Sequence, residues 1–391
     1  MDSSIREAKR ARVPGRPGLL KDLNTKAVFE HVAAVGGASR VALADALGLS
    51  ATSVSRITEA LIRGGLLRAG AQIASRIGRR QTLLEIEPGA ASVIAVDVRT
   101  NTVRFALADL RGERVAHVHV PMAAADVHGV VALVASEVAR LTATVPPSRV
   151  TVVVGVPGAW DEVRRRVYCV PNIPFLDGVD LASLLERSLG TTVLIDNDVN
   201  FAALGEYHFG AGADVEDVCY LNLGSGVGSG LVVGGRLHRG HAGFAGEIGS
   251  LPVLDAGSGT FVTLESLIGR AALDARLQQR GWPHGVEALL REPLDRHAEV
   301  IAFLAERCAL AIAATASLVD PGLVVLGGSI GRHGAALIPL VERALARLCD
   351  YRPPILPTRL GEDAALLGAT AVGLARTRAD LVERLTADTV R

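Results

Sequence analysis

One series of apolar segments occurs twice in this chain in the same order, and that repetition limits the folds open to it. Ser92–Val98, Val103–Asp109 and Val115–Val120 read as three strands, with a turn at Arg111-Gly112-Glu113 between the second and third. A helix from about Val127 to Thr142 follows, then a strand at Val150–Val156 that Pro157-Gly158 stops. Strands of this kind return at Thr192–Ile195, Val218–Leu223, Leu231–Val233 and Leu323–Leu326, with helical runs between them. The order β-β-β-α-β-α, met twice, predicts an α/β domain of two mixed-sheet lobes with a cleft between them.

Polar and glycine-rich motifs sit at the ends of these strands. Asp196-Asn197-Asp198 closes one strand and opens a helix from Val199 to Tyr207, which aims Asn197 and Asp198 at the cleft. Leu223–Gly230 is a glycine-rich turn, either a plain hairpin or a loop that brings backbone N–H groups to a phosphate. His241–Ser250 is a second glycine-rich loop carrying one acid, Glu247, and Gly327-Gly328-Ser329 follows another apolar strand. Singly each is an ordinary turn; together in one domain they predict a ligand cleft.

The N-terminal part has a different pattern. Residues 1–20 carry Arg6, Lys9, Arg10, Arg12 and Arg16 around Pro14-Gly15-Arg16-Pro17, and are expected to form a flexible basic arm rather than a helix. Such an arm either lies along a minor groove or is merely solvated. Residues 21–87 read as a winged helix-turn-helix. From Asn24 a helix is marked by Val28, Val32 and Val35 and stopped by Gly36-Gly37. A short helix with Val41, Leu43, Ala44 and Leu47 follows, then a turn at Gly48 and an N-cap at Ser50. The next helix turns Val54, Ile57, Leu61 and Ile62 inward and Ala51, Thr52, Ser53, Ser55 and Arg56 outward. Leu66-Leu67-Arg68, a tip at Ser75–Arg80 and Thr82–Ile86 read as strand, basic wing and returning strand. The competing reading is a generic helical hairpin. On the winged reading, Ser50, Thr52, Ser53, Ser55 and Arg56 meet a major groove, and Arg76, Arg79 and Arg80 of the wing meet phosphates.

Charge separates the two parts. The 391 residues balance at 41 basic and 41 acidic, yet residues 1–80 hold 14 basic and 6 acidic, and all three lysines (Lys9, Lys21, Lys26). A basic head on an acidic body suits a polyanionic partner, though a basic tail alone gives the same count. With 49% hydrophobic and 21% charged residues the chain is not a disordered one. The four cysteines form no C-x-x-C pair, so neither a disulfide scaffold nor a zinc knuckle is read. The longest apolar run, about Cys308–Val319, stops at Asp320-Pro321, and the first ten residues have no apolar core. A membrane span and a secretory signal are therefore not expected, and a cytoplasmic location is.

The ordered set of motifs resembles the ROK family of repressors and sugar kinases. It comprises Gly155-Val156-Pro157-Gly158, Asn172-Ile173-Pro174, Asp196–Asn200 with Ala202–Glu206, Gly224–Gly230, Gly246-Glu247-Ile248-Gly249, Leu264-Glu265, Leu326-Gly327-Gly328 and Leu366–Ala369. With the head, the resemblance spans nearly the whole chain and points to the xylose-repressor and N-acetylglucosamine-repressor type. It implies a two-lobed actin-like/hexokinase-like sugar-sensing domain over residues 88–391. Asn197, Asp198, Glu247 and Glu265 are implied as sugar-binding residues. Asp198 stands at the position of the kinases' general base and is here expected to be vestigial; the alternative role for its carboxylate is a helix N-cap.

Departures from the family pattern are informative. The first phosphate loop, Asp-x-Gly-x-Thr in the family, reads Asp97-Val98-Arg99-Thr100-Asn101. Ser250 replaces the family's histidine after Glu-x-Gly, and Asp255–Thr263 stands where the cysteine-rich zinc motif belongs. Zinc needs about four N or S ligands, so no metal is expected; nor is ATP or any other cofactor, or enzymatic activity. The resemblance implies a repressor of carbohydrate genes, with operator DNA and a small carbohydrate as partners and a homodimer or homotetramer as its assembly. Two alternatives stand beside it: an active sugar kinase with an appended DNA module, and a DNA-binding regulator whose sugar site is vestigial.

Overall fold

A computed structural model describes residues 17–74, 80–255, 257–293 and 297–388. The chain divides into two compact units: the described residues up to Ala90 together with those from Arg376 onward, and Ala91–Ala375. Residues 376–388, read above as the end of the sugar-sensing domain, thus group with the head.

In the first unit, α1 (Pro17–Val35), α2 (Arg40–Leu47) and α3 (Ala51–Arg63) precede an antiparallel pair, β1 (Leu67–Ala74) and β2 (Arg80–Ile86). The first helix starts at Pro17, inside the expected arm, because a proline at the first helical position gives up no intrahelical bond. Val28, Phe29, Val32, Leu43, Val54, Ile57, Leu61, Leu67 and Leu84 are buried, whereas Val35 and Val41, read as inward, are exposed. Ser39 and Ser50 cap α2 and α3 through their side chains, and Gly48 ends α2 in the left-handed region that a residue with a side chain avoids.

The second unit holds two five-stranded sheets. Lobe I runs β3 (Ser92–Val98), β4 (Thr102–Asp109), β5 (Arg114–Pro121), α4 (Val127–Leu141), β6 (Val150–Val156), the small hairpin β7 (Ala159–Asp161) and β8 (Arg166–Tyr168), α5 (Leu181–Leu189), β9 (Val193–Asn197) and α6 (Asp198–Phe209). Lobe II runs β10 (Val218–Leu223), β11 (Val227–Val233), β12 (Arg236–Leu237), the hairpin β13 (Pro252–Asp255) and β14 (Thr260–Thr263), then α7 (Leu264–Ile268), α8 (Arg270–Gln278), α9 (Gly285–Leu289) and α10 (Ala298–Val319). It closes with β15 (Leu323–Gly327), α11 (Gly328–Gly331), α12 (Gly334–Leu345), β16 (Ile355–Pro357) and the part of α13 (Ala364–Asp388) that precedes Arg376.

The sheet orders are β5-β4-β3-β6-β9 and β12-β11-β10-β15-β16. Both run third, second, first, fourth, fifth, with the first three strands antiparallel and the last two parallel to the first. The duplicated order read from the apolar runs is therefore a duplicated topology. The largest boundary difference among these strands is at β11, which begins at Val227, four residues before the expected strand, since the glycines that hide it are themselves paired.

Each lobe has its own core, and a third core lies between the sheets, built from Val93, Val153, Phe201, Ala203, Tyr220, Val325, Leu366 and Ala369 among others. It is filled by α6 and the first half of α13. These helices cross where Gly205 faces Ala364 and Gly368 faces Phe201; a Cβ on either glycine would overlap a backbone carbonyl oxygen. The longest apolar helix, α10, has the length and hydropathy of a membrane span but buries Val300, Ile301, Leu304, Cys308, Ala309 and Ile312 in the core of lobe II.

Candidate functional site

The expected nucleic-acid face is built on α3. Thr52 and Arg56 are exposed, and Ser53 and Ser55 are half-buried. Ser50 and Ser53 use their hydroxyls on the cap: Ser53 N donates to Ser50 Oγ at 3.1 Å and Ser50 Oγ donates to Ser53 Oγ at 2.9 Å. Ser50 is thus engaged in starting the helix, which leaves Thr52, Ser55 and Arg56 as the forward-facing side chains. Arg80 opens β2 and is exposed, while Arg76 and Arg79 lie outside the described residues. Sequence reasoning passed over Arg40, whose Nε donates to Thr58 Oγ1 at 2.9 Å and ties α2 to α3.

The cleft of the second unit, with about 300 Å³ of free volume, is lined by residues of both lobes, among them Arg99, Asn197, Asp198, Gly226, Glu247, Glu265 and Ser329. All four carbohydrate-site residues expected from the sequence meet there. Their roles differ. Asn197, not Asp198, is the N-cap of α6: its Oδ1 accepts from Val199 N at 2.6 Å and Asn200 N at 3.2 Å. Its Nδ2 donates to Gly158 O at 2.9 Å and to Glu247 Oε1 at 3.4 Å. Asn197 therefore positions its neighbours, and the cap role weighed for Asp198 falls mainly to it.

Asp198 keeps most of its acceptor capacity; its Oδ1 accepts one bond, from Val199 N at 3.0 Å. Burial, and next the charge of Asp97, raise its pKa to about 7, against the opposing pull of Arg99. Glu247 is also raised to about 7, by burial and then by Glu265. Glu265 is anchored, with Oε2 accepting from Val227 N at 2.8 Å. Two half-buried carboxyl groups opening on one cleft suit hydroxyl donors, because a buried acceptor that loses its partner is penalised.

The hairpin β13–β14 joins the loop of Glu247 to the helix of Glu265. Leu264 N donates to Leu251 O at 2.9 Å at its base, and Asp255 Oδ2 accepts from Ser258 N at 3.0 Å at its tip. Among the described residues, no group of three His, Cys, Asp or Glu side chains is placed to hold a metal.

Lobe I meets the cleft at the β3–β4 turn. Asp97 is buried, and its Oδ2 takes Arg99 Nε at 2.8 Å and Arg104 Nη1 at 3.6 Å. Its Oδ1 is buried without a partner among the described atoms, a costly arrangement. Burial works against the charge of Arg99, but Asp97 and then Asp198 outweigh it and hold its pKa above the ordinary guanidinium value.

The family model for the ROK family matches residues 93–376, and the chain belongs to that family. It is 27% identical over 357 residues to the Escherichia coli K12 DNA-binding transcriptional dual regulator NagC, covering 85% of this chain and 86% of that one. It is 25% identical over 388 residues to the xylose repressor of Caldicellulosiruptor bescii, covering 92% and 97%. Sugar kinases are also relatives: a Streptomyces coelicolor glucokinase is 29% identical over 250 residues, 56% of this chain and 78% of the kinase. In fold, the chain resembles the crystal structure of a ROK family transcriptional regulator, homologous to E. coli MLC, with a TM-score of 0.77 at 22% identity over 94% of this chain and 99% of that one.

Proposed function

We propose that this protein is a carbohydrate-responsive transcriptional repressor acting in the cytoplasm. The observation that carries the reading is the pairing, in one chain, of a capped helix presenting Thr52 and Arg56 with a cleft onto which the carboxyl groups of Asp198 and Glu247 both open. The relatives that span nearly all of the chain are named as regulators. The head binds operator DNA, and a homodimer or homotetramer presents heads to a palindromic site. A sugar in the cleft binds one state of the protein better than the other and changes operator affinity by a coupling of roughly 1–3 kcal/mol, about 5–150-fold.

Operator fragments found by footprinting, titrated with and without a panel of free sugars, amino sugars and sugar phosphates, test both halves. The expected result is a sharp loss of operator affinity with one member of the panel. DNA binding that no sugar alters leaves a regulator with a vestigial cleft, and no protected fragment at all removes the regulator reading.

A second reading, a sugar kinase with a DNA module, draws on Asp198, whose pKa near 7 suits a general base. A coupled ATP assay with the same panel decides it. Turnover that Asp198→Asn abolishes would establish the kinase.

A further inference from the structure

The kinases of this family bring a nucleotide to the cleft, and the residues here do not fit one. A phosphate would need free backbone N–H groups at the glycine turn. Those of Gly224, Val227 and Ser229 already donate to Gly226 O, Glu265 Oε2 and Gly246 O, at 3.0, 2.8 and 2.7 Å, which leaves Ser225 and Gly226 at the tip of the turn; the obstacle lies on the other side of the cleft. At the other phosphate position the Arg99 side chain lines the cleft, held by Asp97.

What Arg99 holds in turn is the segment Gly361-Glu362-Asp363, which leads from β16 of lobe II into α13. Arg99 Nη2 donates to Glu362 O at 3.3 Å. Arg104, almost fully buried on β4, donates to the same carbonyl from Nη1 and to Asp363 Oδ1 from Nη2 at 2.6 Å. Arg114 Nη1, on β5, reaches Asp363 Oδ2 at 3.0 Å. From lobe II, Arg332 Nη1 donates to Glu362 Oε1 at 2.6 Å. The stretch just before is fixed by the fully buried Glu206 of α6, whose Oε1 accepts from Leu360 N at 2.9 Å and from Thr358 Oγ1.

We propose that Arg99 and Arg104 form a built-in clasp that takes the place of a nucleotide. They pin the segment between β16 and α13 to lobe I, with Arg99 as the positioning residue that links the cleft to the start of α13. Two features argue for this over a surface ion pair. The two guanidinium groups converge on one buried carboxylate, Asp97, and on one backbone carbonyl, so the geometry is shared rather than incidental. Arg99 also lines the same cleft as Asp198, so a change of charge at Asp198 alters the balance of partners around Arg99. The clasp stands whether or not a sugar binds to the cleft acids, Asp198 being the one acid whose charge reaches it.

Hydrogen exchange read by mass spectrometry on the full chain tests it without knowledge of the sugar. Arg99→Gly is expected to speed exchange over residues 361–366 by about tenfold or more, through more frequent local opening. Arg99→Lys keeps the charge but lacks a fork able to hold Asp97 and Glu362 together; it gives a smaller increase and serves if the glycine variant does not fold. The coupling is read by a cycle: Asp198→Asn changes exchange over 361–366 by about threefold or more in the parent and much less beside Arg99→Lys. Magnesium with the non-hydrolysable analogue AMPPNP, at about 5 mM, is expected to leave the parent's thermal midpoint and its exchange unchanged. Unaltered exchange in the arginine variants, purely additive effects in the cycle, or a thermal shift of the parent with AMPPNP would each overturn the proposal.

Discussion

Asn197 donates from Nδ2 to Glu247 Oε1 at 3.4 Å while its Oδ1 caps α6, so a helix start in lobe I and a cleft carboxylate are held by one amide. Asn197→Ala is expected to cost about 1–2 kcal/mol for the cap, with a further loss because Gly158 O is left without this donor. Asn197→Asp keeps the cap but sets an acid against Glu247 in place of a donor. Thermal unfolding of the two variants should separate these effects, with the aspartate variant losing more stability at pH 8 than at pH 5.

The cleft acids set a pH dependence whose sign is fixed by their raised pKa values. Asp198 and Glu247 titrate near 7 in the folded chain, against 3.8 and 4.5 as ordinary values. Between those limits the folded state holds protons that the unfolded state has released, so stability from these two groups is full below about pH 4 and is lost as the pH rises through about 7. Asp198→Asn should flatten that loss in denaturant titrations run from pH 5 to pH 8.

A sugar hydroxyl donates to the ionised form of these acids and so favours it. Sugar affinity is expected to rise from pH 6 to pH 8, by at most about tenfold per unit for each acid engaged. Calorimetry across that range checks the sign; affinity that falls with pH would mean that the bound carboxyls are protonated.

The crossing of α6 and α13 leaves no room at Gly368, where a Cβ would meet Phe201 O. Gly368→Ala is expected to cost about 3 kcal/mol or more, since the obstacle is backbone and cannot rotate away. Gly361→Ala, at a position with open space around it but φ of 57°, should cost less. Comparing the two thermal midpoints tests whether close approach or backbone conformation matters more in this region.

In the head, Arg80→Ala should weaken binding to all DNA sequences alike and lower the salt dependence by about one unit of slope. Thr52→Ala should instead shift which sequence is preferred. Fluorescence anisotropy on specific and scrambled duplexes at several salt concentrations distinguishes the two. A Thr52 variant with unchanged preference removes that residue from base contact.

Local signals made much of this protein legible. The β-branched runs at Val93–Val98 and Val150–Val156 are strands because such side chains pack well when both sheet faces are covered, and Ser50 caps α3 because its hydroxyl reaches a free N–H. Asn197 and Asp198 are legible because a short polar motif ends a strand, and Glu247 because it is the one acid of a glycine-rich loop; Glu265 and the carbohydrate role of all four come from the resemblance to the ROK family. The glycines of β11 hid a strand: Gly228 and Gly230 pair across to Asn222 and Tyr220, and Gly230 is small because α6 passes against it.

The sequence by itself determined the duplicated strand order and the helices and strands of the head, since each depends on spacing within some tens of residues, while the set of cleft acids came from the motifs shared with the ROK family. Only the tertiary structure decided which of those residues are free to meet a ligand. The amide of Asn197 is spent partly on Glu247 and the guanidinium of Arg99 partly on Glu362, partners that lie 50 and 263 residues away along the chain. Side-chain valence is used up by whatever the fold brings within hydrogen-bond reach, and local pattern carries no record of contacts across such separations.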